Sequence, residues 1–163
     1  ASDIAAVIAR VAARRDDVMF VLMGEGPGET PIRKLAEQFP REVHLLPFQP
    51  RERVASLRFQ SAASLCLMAG FSLIEACAAG SPPIAYDVEW QRELVHDRET
   101  GMLVREHDLA GVERAIDWLL DHPAEATAMG ARARDLAFAR HDLAATSQLK
   151  RECYSTLLNG RTA

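Results

Sequence analysis

The sequence predicts an α/β fold in which a parallel sheet carries helices on both faces and is followed by a helical C-terminal tail. Three observations predict it. Short apolar runs alternate with helix-like segments through the first two thirds of the chain. Each run is apolar at nearly every position, as in strands that are covered on both faces. Beyond residue 107 the periodicity is helical throughout.

Helix-like and strand-like segments follow one another from the start of the chain. Apolar residues at helical spacing predict a first helix over 4–11. The apolar runs predict strands over 18–23, 43–46, 63–68, 83–86 and 102–104. The remaining segments predict helices over 30–39, 51–60, 72–79, 90–95, 108–120, 123–139 and 142–158. Thr30 is the expected N-cap of the helix at 30–39, with Pro31 at its first position, and Gly80 is the expected C-terminal cap of the helix at 72–79.

Length and composition limit the classes of function. A chain of 163 residues, 48% hydrophobic and 26% charged, fits one globular domain. A net charge of −4 argues against a basic nucleic-acid-binding surface, so we expect no nucleic-acid partner. No apolar run is long enough for a membrane helix. Three cysteines without a C-x-x-C spacing argue against a disulfide framework or a zinc site, and we expect a reduced, cytoplasmic protein.

The chain opens with a helix, whereas an alternating fold normally opens with a strand. We therefore expect a piece of a longer protein that lacks the first strand of its sheet. A domain that simply begins with a helix is the alternative. A missing strand would leave an apolar edge or gap, which invites pairing with another chain, so we expect self-association through the sheet.

Ligands of open parallel sheets bind beyond the carboxyl ends of the strands, so the segments that follow the strands are the candidate site. Gly24-Glu25-Gly26-Pro27-Gly28 follows the first predicted strand and begins G-x-G. Position 29 is Glu29, which makes the segment a poor match to a dinucleotide-binding fingerprint. A plain glycine turn and a loop that approaches a ligand both remain open.

A second glycine, Gly70, separates the third predicted strand from a helix that we expect to start near Ser72. The free N–H groups at such a helix end form an anion site that could hold a diphosphate. Glu75 would lie beside that ligand and could accept hydrogen bonds from two ribose hydroxyls. The alternative is a capping box, in which Ser72 and Glu75 each close the other's backbone donor.

Other polar residues carry weaker signals. Asp87, Glu89 and Glu93 surround Trp90, where they could line a sugar pocket or form a solvated face. The five histidines share no metal-ligand spacing with another histidine or cysteine, so we expect no metal site. No G-x-S-x-G motif supports a hydrolase.

Three segments resemble, in order, parts of the C-terminal half of family 4 retaining glycosyltransferases, which have the two-Rossmann-domain GT-B architecture. Residues 20–27 resemble that family's strand and glycine-rich turn, 70–85 its donor-binding helix and next strand, and 93–104 its late turn and strand. The resemblance covers residues 5–140. It implies a Rossmann-like nucleotide-sugar-binding domain over 1–140 and a C-terminal helix over 141–163 that packs toward an N-terminal domain.

In that family the C-terminal domain binds a nucleoside-diphosphate sugar, such as a UDP or GDP sugar, without a metal or other cofactor. The donor-binding residues that the resemblance implies are Gly24, Glu25, Gly70, Phe71, Ser72, Leu73 and Glu75. Among these, Glu75 would bind the ribose hydroxyls, the backbone of 70–73 would face the donor sugar and diphosphate, and Gly24 and Glu25 would lie near the base. A hexose would pass to a glycan or lipid-linked sugar held by the N-terminal domain, as in polysaccharide biosynthesis, and the parent enzyme could work at the inner membrane surface.

The sequence departs from the family pattern at two places. The family has two glutamates eight positions apart, but the position eight before Glu75 is Leu67. The arginine and lysine that grip the diphosphate belong to the strand that we expect to be missing. No catalytic residue is therefore assigned, and the isolated chain should have little or no transferase activity. A degenerate module without a ligand and a sugar-nucleotide 2-epimerase are the alternative functions.

Overall fold

A computed structural model describes residues 2–26, 29–68 and 70–159. Strands and helices alternate over its first part, and helices alone follow. The elements are α1 (Ser2–Ala12), β1 (Phe20–Met23), α2 (Glu29–Gln38), β2 (Val43–Leu46), α3 (Arg51–Gln60), β3 (Ser64–Leu65), α4 (Phe71–Ala78), β4 (Pro83–Tyr86), β5 (Met102–Val104), α5 (Leu109–Asp121), α6 (Pro123–His141) and α7 (Leu143–Asn159). This order confirms the predicted α/β fold and its helical tail.

All strand pairs in the described residues are parallel, as predicted, but the sheet is in two parts. One part pairs β1 with β2 and sets Phe20 opposite Val43. The other has the order β3-β4-β5 and sets Ile84 opposite Met102. No hydrogen-bonded ladder joins β1 to β3 in the part of the chain that the structure describes.

Helices cover both faces of the sheet, and β4 shows why its residues are apolar at every position. Ile84 and Tyr86 pack in a core cluster with residues of α1 and α5. Ala85, between them, points to the other face and packs in a cluster with residues of α4 and α6. All four β4 residues are buried. Successive side chains of a strand point to opposite faces, so a strand covered on both sides has no polar position.

α1 connects the two parts of the sheet by packing against both. Its Val7 and Val11 lie in the cluster that contains β4 and β5 residues. Its Ile8 lies in a different cluster, together with Val43 of β2 and residues of α2. One helix therefore buries side chains on each side of the interruption between β1 and β3.

Three sequence predictions about individual elements are wrong. β3 is limited to Ser64–Leu65, because the backbone turns after Cys66 toward α4, whereas 63–68 was predicted. α2 begins at Glu29, whose N–H donates to the carbonyl of Gly26 over 2.9 Å. Thr30 therefore lies inside the helix and is not its N-cap. The predicted helix at 90–95 is a single 3-10 turn over Gln91–Glu93.

The end of α4 confirms the predicted glycine cap. Gly80 has a φ of +75° and donates to the carbonyl of Cys77 over 2.8 Å. Ser81 donates to the carbonyl of Ala76 over 3.1 Å, which completes a Schellman motif. α6 packs closely against this cap at Gly130. A Cβ at Gly130 would overlap the carbonyl oxygen of Gly80 and lie 3.2 Å from Cδ of Pro82.

Asp3 fastens the start of α1 to the carboxyl end of the sheet. Its Oδ2 accepts a hydrogen bond of 2.7 Å from the hydroxyl of Tyr86, at the end of β4. The same oxygen lies 2.8 Å from Nδ1 of His107, in the turn before α5. The hydrogen bond from His107 lowers the pKa of Asp3, and the bond to Asp3 raises the pKa of His107.

Replacing His107 with asparagine should reduce stability in acid more than in base. The φ of His107 is +62°, which asparagine tolerates. Because folding raises the pKa of His107, its contribution is complete below the unfolded value of about 6.5 and is lost as pH rises through the folded value. The difference in Tm between wild type and His107→Asn should therefore be larger at about pH 5.5 than at about pH 9.

The matched control is the same substitution in an Asp3→Asn background, where the partner carboxylate is absent and the pH dependence of the difference in Tm should be largely lost. Below about pH 4 the wild-type advantage should also fade, since the carboxylate of Asp3 then becomes protonated. Equal differences in Tm at the two higher pH values would show that the His107–Asp3 pair contributes nothing through its charge.

Because the sheet is interrupted, we still expect this chain to self-associate. β1 and β3 each pair with one neighbouring strand in the described residues, and Met19, directly before β1, is 64% exposed. Unpaired strand edges favour pairing with another chain. Light scattering of the 163-residue chain should show a mass that rises with concentration, and a monodisperse monomer at every concentration would contradict this.

Candidate functional site

The start of α4 lies beyond the carboxyl end of β3. Its hydrogen bonds are not those of the capping box that the sequence left open. Gly70 is the N-cap residue, and no side chain caps the helix there. Ser72 is the second residue of the helix, so it is not placed to close the N-terminus. Its hydroxyl oxygen accepts a hydrogen bond from Arg58 instead. The capping box of Ser72 and Glu75 is not formed.

The first turn of α4 presents backbone donors. The N–H groups of Phe71 and Ser72 have no acceptor among the described residues. The N–H of Leu73 is already used, since it donates to the carbonyl of Gly70 over 3.1 Å. Leu73 is also fully buried, so its side chain belongs to the core. Phe71 is 84% exposed and stands beside the free donors.

Glu75 lies one turn further along α4 and is accessible. Its side chain is 42% exposed, and Oε1 accepts a hydrogen bond of 3.3 Å from Arg51 at the start of α3. The Arg51 side chain is 87% exposed, so this ion pair is open to solvent. An exposed pair at this distance leaves the carboxylate available to other hydrogen-bond donors.

Arg58, near the end of α3, is a feature of this region that sequence analysis missed. Nη1 donates to the carbonyl of Ser72 over 2.9 Å, and Nη2 donates to the hydroxyl of the same residue over 2.7 Å. Nη1 also lies 4.0 Å from Sγ of Cys66, just after β3. Arg51 and Arg58 are seven residues apart on a helix with no buried residue, and that spacing was the available signal.

Leu67 occupies the position where the resemblance would place a further glutamate. It is 2% exposed and packs in the core cluster that contains Ile84 and Met102. A side chain at this position points into the core of the fold. The described part of the chain therefore offers no carboxylate there for a donor sugar.

The glycine-rich turn after β1 lies at a separate depression. Gly24 has a φ of +121°, and nothing lies within 4 Å of the place a Cβ would take. Gly24 and Glu25 line a cavity of about 470 Å³ together with residues of α2 and β2, among them His44. They also line a second one of about 210 Å³. Neither cavity is lined by a residue of 70–75, and Pro27 and Gly28 lie outside the described residues.

Two of the three acidic residues after β4 pair with arginines instead of forming a group with one another. Asp87 pairs with Arg92 through both carboxylate oxygens. Glu93 lies 3.8 Å from Arg140 of α6. Within residues 2–26, 29–68 and 70–159, no three His, Cys, Asp or Glu side chains come together as a metal site would require.

None of the helices that the structure describes combines the length and the apolar character needed to cross a bilayer.

Residues 2–136 match the family model described as glycosyl transferases group 1. The chain is 28% identical over 143 residues to EpsD of Bacillus subtilis (strain 168), a match that takes in 85% of this chain and 37% of EpsD. The chain thus spans well under half the length of this relative.

Two solved structures show the same fold. Sucrose-phosphate synthase from Thermosynechococcus elongatus superposes with a TM-score of 0.78 at 25% identity, over 97% of this chain and 42% of that one. HepE from Anabaena, in complex with UDP-glucose, superposes with a TM-score of 0.77 at 18% identity, over 92% of this chain and 44% of that one.

These matches confirm the resemblance to the C-terminal domain of a GT-B glycosyltransferase, while family 4 membership and the retaining mechanism stay predictions. With the family model matching most of its residues, this chain belongs to the glycosyl transferases group 1 family.

Proposed function

We propose that this chain is the donor-binding domain of a retaining, metal-independent glycosyltransferase. It would take a hexose from a nucleoside-diphosphate sugar to a glycan or lipid-linked acceptor held by a second domain. The observation that carries the proposal is the start of α4, where unused N–H groups of Phe71 and Ser72 stand one helical turn from the exposed carboxylate of Glu75.

The two halves of that arrangement match the two halves of a nucleoside diphosphate. Backbone N–H groups at a helix N-terminus stabilise a phosphate through hydrogen bonds and the helix dipole. A carboxylate one turn away can accept hydrogen bonds from vicinal ribose hydroxyls. During transfer the diphosphate leaves with additional negative charge, which the same N–H groups would stabilise.

The nucleotide is proposed to be UDP, because the HepE structure of the same fold holds UDP-glucose. Gly24 and Glu25 would lie beside the base, at the depression after β1. The cytoplasm, where UDP-sugars are made available as donors, is the proposed location. The helix α7 would pack toward the acceptor-binding domain.

The experiment is a transfer assay on the full-length protein that carries this domain. Incubation with UDP-glucose, UDP-N-acetylglucosamine and GDP-mannose, together with a set of glycan and lipid-linked sugar acceptors and in the presence of EDTA, should release nucleoside diphosphate from one donor. NMR of the product should show the anomeric configuration of the donor retained. Inversion would refute the retaining mechanism, and loss of turnover in EDTA would refute metal independence.

A degenerate module is the second candidate, favoured by the buried Leu67 in place of a second glutamate. It predicts that none of the donors binds, whereas the donor-binding proposal predicts saturable binding of at least one. Turnover by the isolated 163 residues would contradict both candidates, since neither supplies an acceptor site.

A further inference from the structure

We propose that Arg58 is a positioning residue for the donor site, acting through Ser72 on the first turn of α4. The inference rests on the proposed function, because it concerns the N–H groups that would receive the diphosphate. Two hydrogen bonds from Arg58 go to one residue, to the carbonyl and the hydroxyl of Ser72. A guanidinium makes two such bonds in a fixed fork, which orients its partner as well as holding it.

The guanidinium bridges the two sides of the connection between β3 and α4. On the strand side it approaches Sγ of Cys66, and on the helix side it binds Ser72. The thiol of Cys66 in turn lies 3.8 Å from the carbonyl of Ser72. These contacts tie the start of α4 to the end of β3, so the N–H groups of Phe71 and Ser72 are held in one place.

This placement of a cation is unfavourable in the unliganded protein. The N-terminus of a helix carries partial positive charge, and a guanidinium beside it adds to that charge. Nε of Arg58 is buried and finds no hydrogen-bond partner among the described residues, which costs further free energy. An anion at the start of α4 would relieve the electrostatic part of this cost, as expected of a site arranged for a diphosphate.

Arg58 also anchors a helix that has no fully buried apolar side chain. α3 has no buried residue, and its side-chain hydrogen bonds to α4 come from Arg58 and Arg51. Arg58 is half-buried and grips the backbone, whereas Arg51 is exposed and reaches only the tip of Glu75. The firm contact is therefore at Ser72, and the contact at Glu75 is the one that can yield to a ligand.

The test measures Kd for UDP by calorimetry and Tm without ligand, in the full-length protein. Arg58→Met should raise the Kd about tenfold, which corresponds to about 1.4 kcal/mol of binding free energy, because the N–H groups of Phe71 and Ser72 are then no longer held in place before the ligand binds. Arg58→Lys should not restore binding, because an ammonium lacks the planar fork that orients the carbonyl and the hydroxyl of Ser72 together. Arg53→Met is the matched control on the same helix, and it should leave the Kd unchanged because Arg53 is exposed and makes no side-chain hydrogen bond in the described residues.

A double-mutant cycle with Ser72→Ala separates positioning from direct contact. If Arg58 acts through Ser72, the Arg58→Met, Ser72→Ala pair should bind UDP no more weakly than Arg58→Met alone. Additive losses would overturn the positioning role, as would a Kd for Arg58→Met within twofold of wild type. A lower Tm with an unchanged Kd would show a purely structural role. If the wild type binds neither UDP nor GDP, the proposed function fails and this inference fails with it.

Discussion

Glu75→Gln should abolish the stabilisation of the protein by its nucleotide while leaving the unliganded fold almost unchanged. A ligand at 100 times its Kd stabilises the folded state by about 2.7 kcal/mol. For a domain of this size that corresponds to a rise in Tm of about 5–10 °C. The amide loses the negative charge and one acceptor of the carboxylate, so one ribose hydroxyl loses its acceptor and the other keeps only an uncharged, weaker one.

The unliganded protein should tolerate this change, because Glu75 does not form a capping box. Its contact is an exposed ion pair with Arg51, and such pairs contribute about 0–1 kcal/mol. Glu113→Gln is the matched control, since Glu113 pairs with Arg10 on the far helices α5 and α1. The control should keep the full nucleotide-induced rise in Tm. An equal loss of that rise in both variants would show that Glu75 does not bind the nucleotide.

Gly130→Ala should destabilise the protein even though alanine is the better helix former. In an exposed helix the change would add up to about 1 kcal/mol of stability. Here the new methyl would overlap the carbonyl oxygen of Gly80 and lie 2.9 Å from its carbonyl carbon. Overpacking of this kind costs about 1–3 kcal/mol, which corresponds to a loss of roughly 3–10 °C in Tm.

The control for Gly130→Ala is a substitution of Ala131, the exposed neighbour of Gly130 on α6. Ala131→Gly should cost only helix propensity, about 0.5–1 kcal/mol. Thermal melts of both variants separate the effect of overpacking from the effect of helix propensity. A Gly130→Ala protein that melts at or above the wild-type temperature would show that α4 and α6 do not approach through these two glycines.

The elements that the sequence predicts best are bounded by residues that act locally. β2, β4 and β5 end where apolar runs end, and α3 spans the predicted residues. Gly80 was recognisable as a cap because an isolated glycine after an apolar helix favours the left-handed conformation. In each of these cases the decisive interactions lie within a few residues of one another.

The features that the sequence did not predict depend on contacts between distant residues. The capping box at the start of α4 is not formed, because Gly70 is the N-cap residue and the hydroxyl of Ser72 accepts a hydrogen bond from Arg58, fourteen positions before it. Asp3 and His107 are 104 positions apart, so their pairing has no local signature. The candidate site was predicted from the rule for carboxyl ends of strands, whereas its hydrogen bonds required the fold.

We expect this domain to bind the nucleotide part of a glycosyl donor at the start of α4. The most direct measurement is calorimetric titration of the full-length protein with UDP, GDP and ADP, in wild type and in Glu75→Gln. Wild type should bind one of these nucleotides saturably, with UDP expected, and Glu75→Gln should lose that binding. Absence of binding by all three, or equal affinity in the variant, would contradict this expectation.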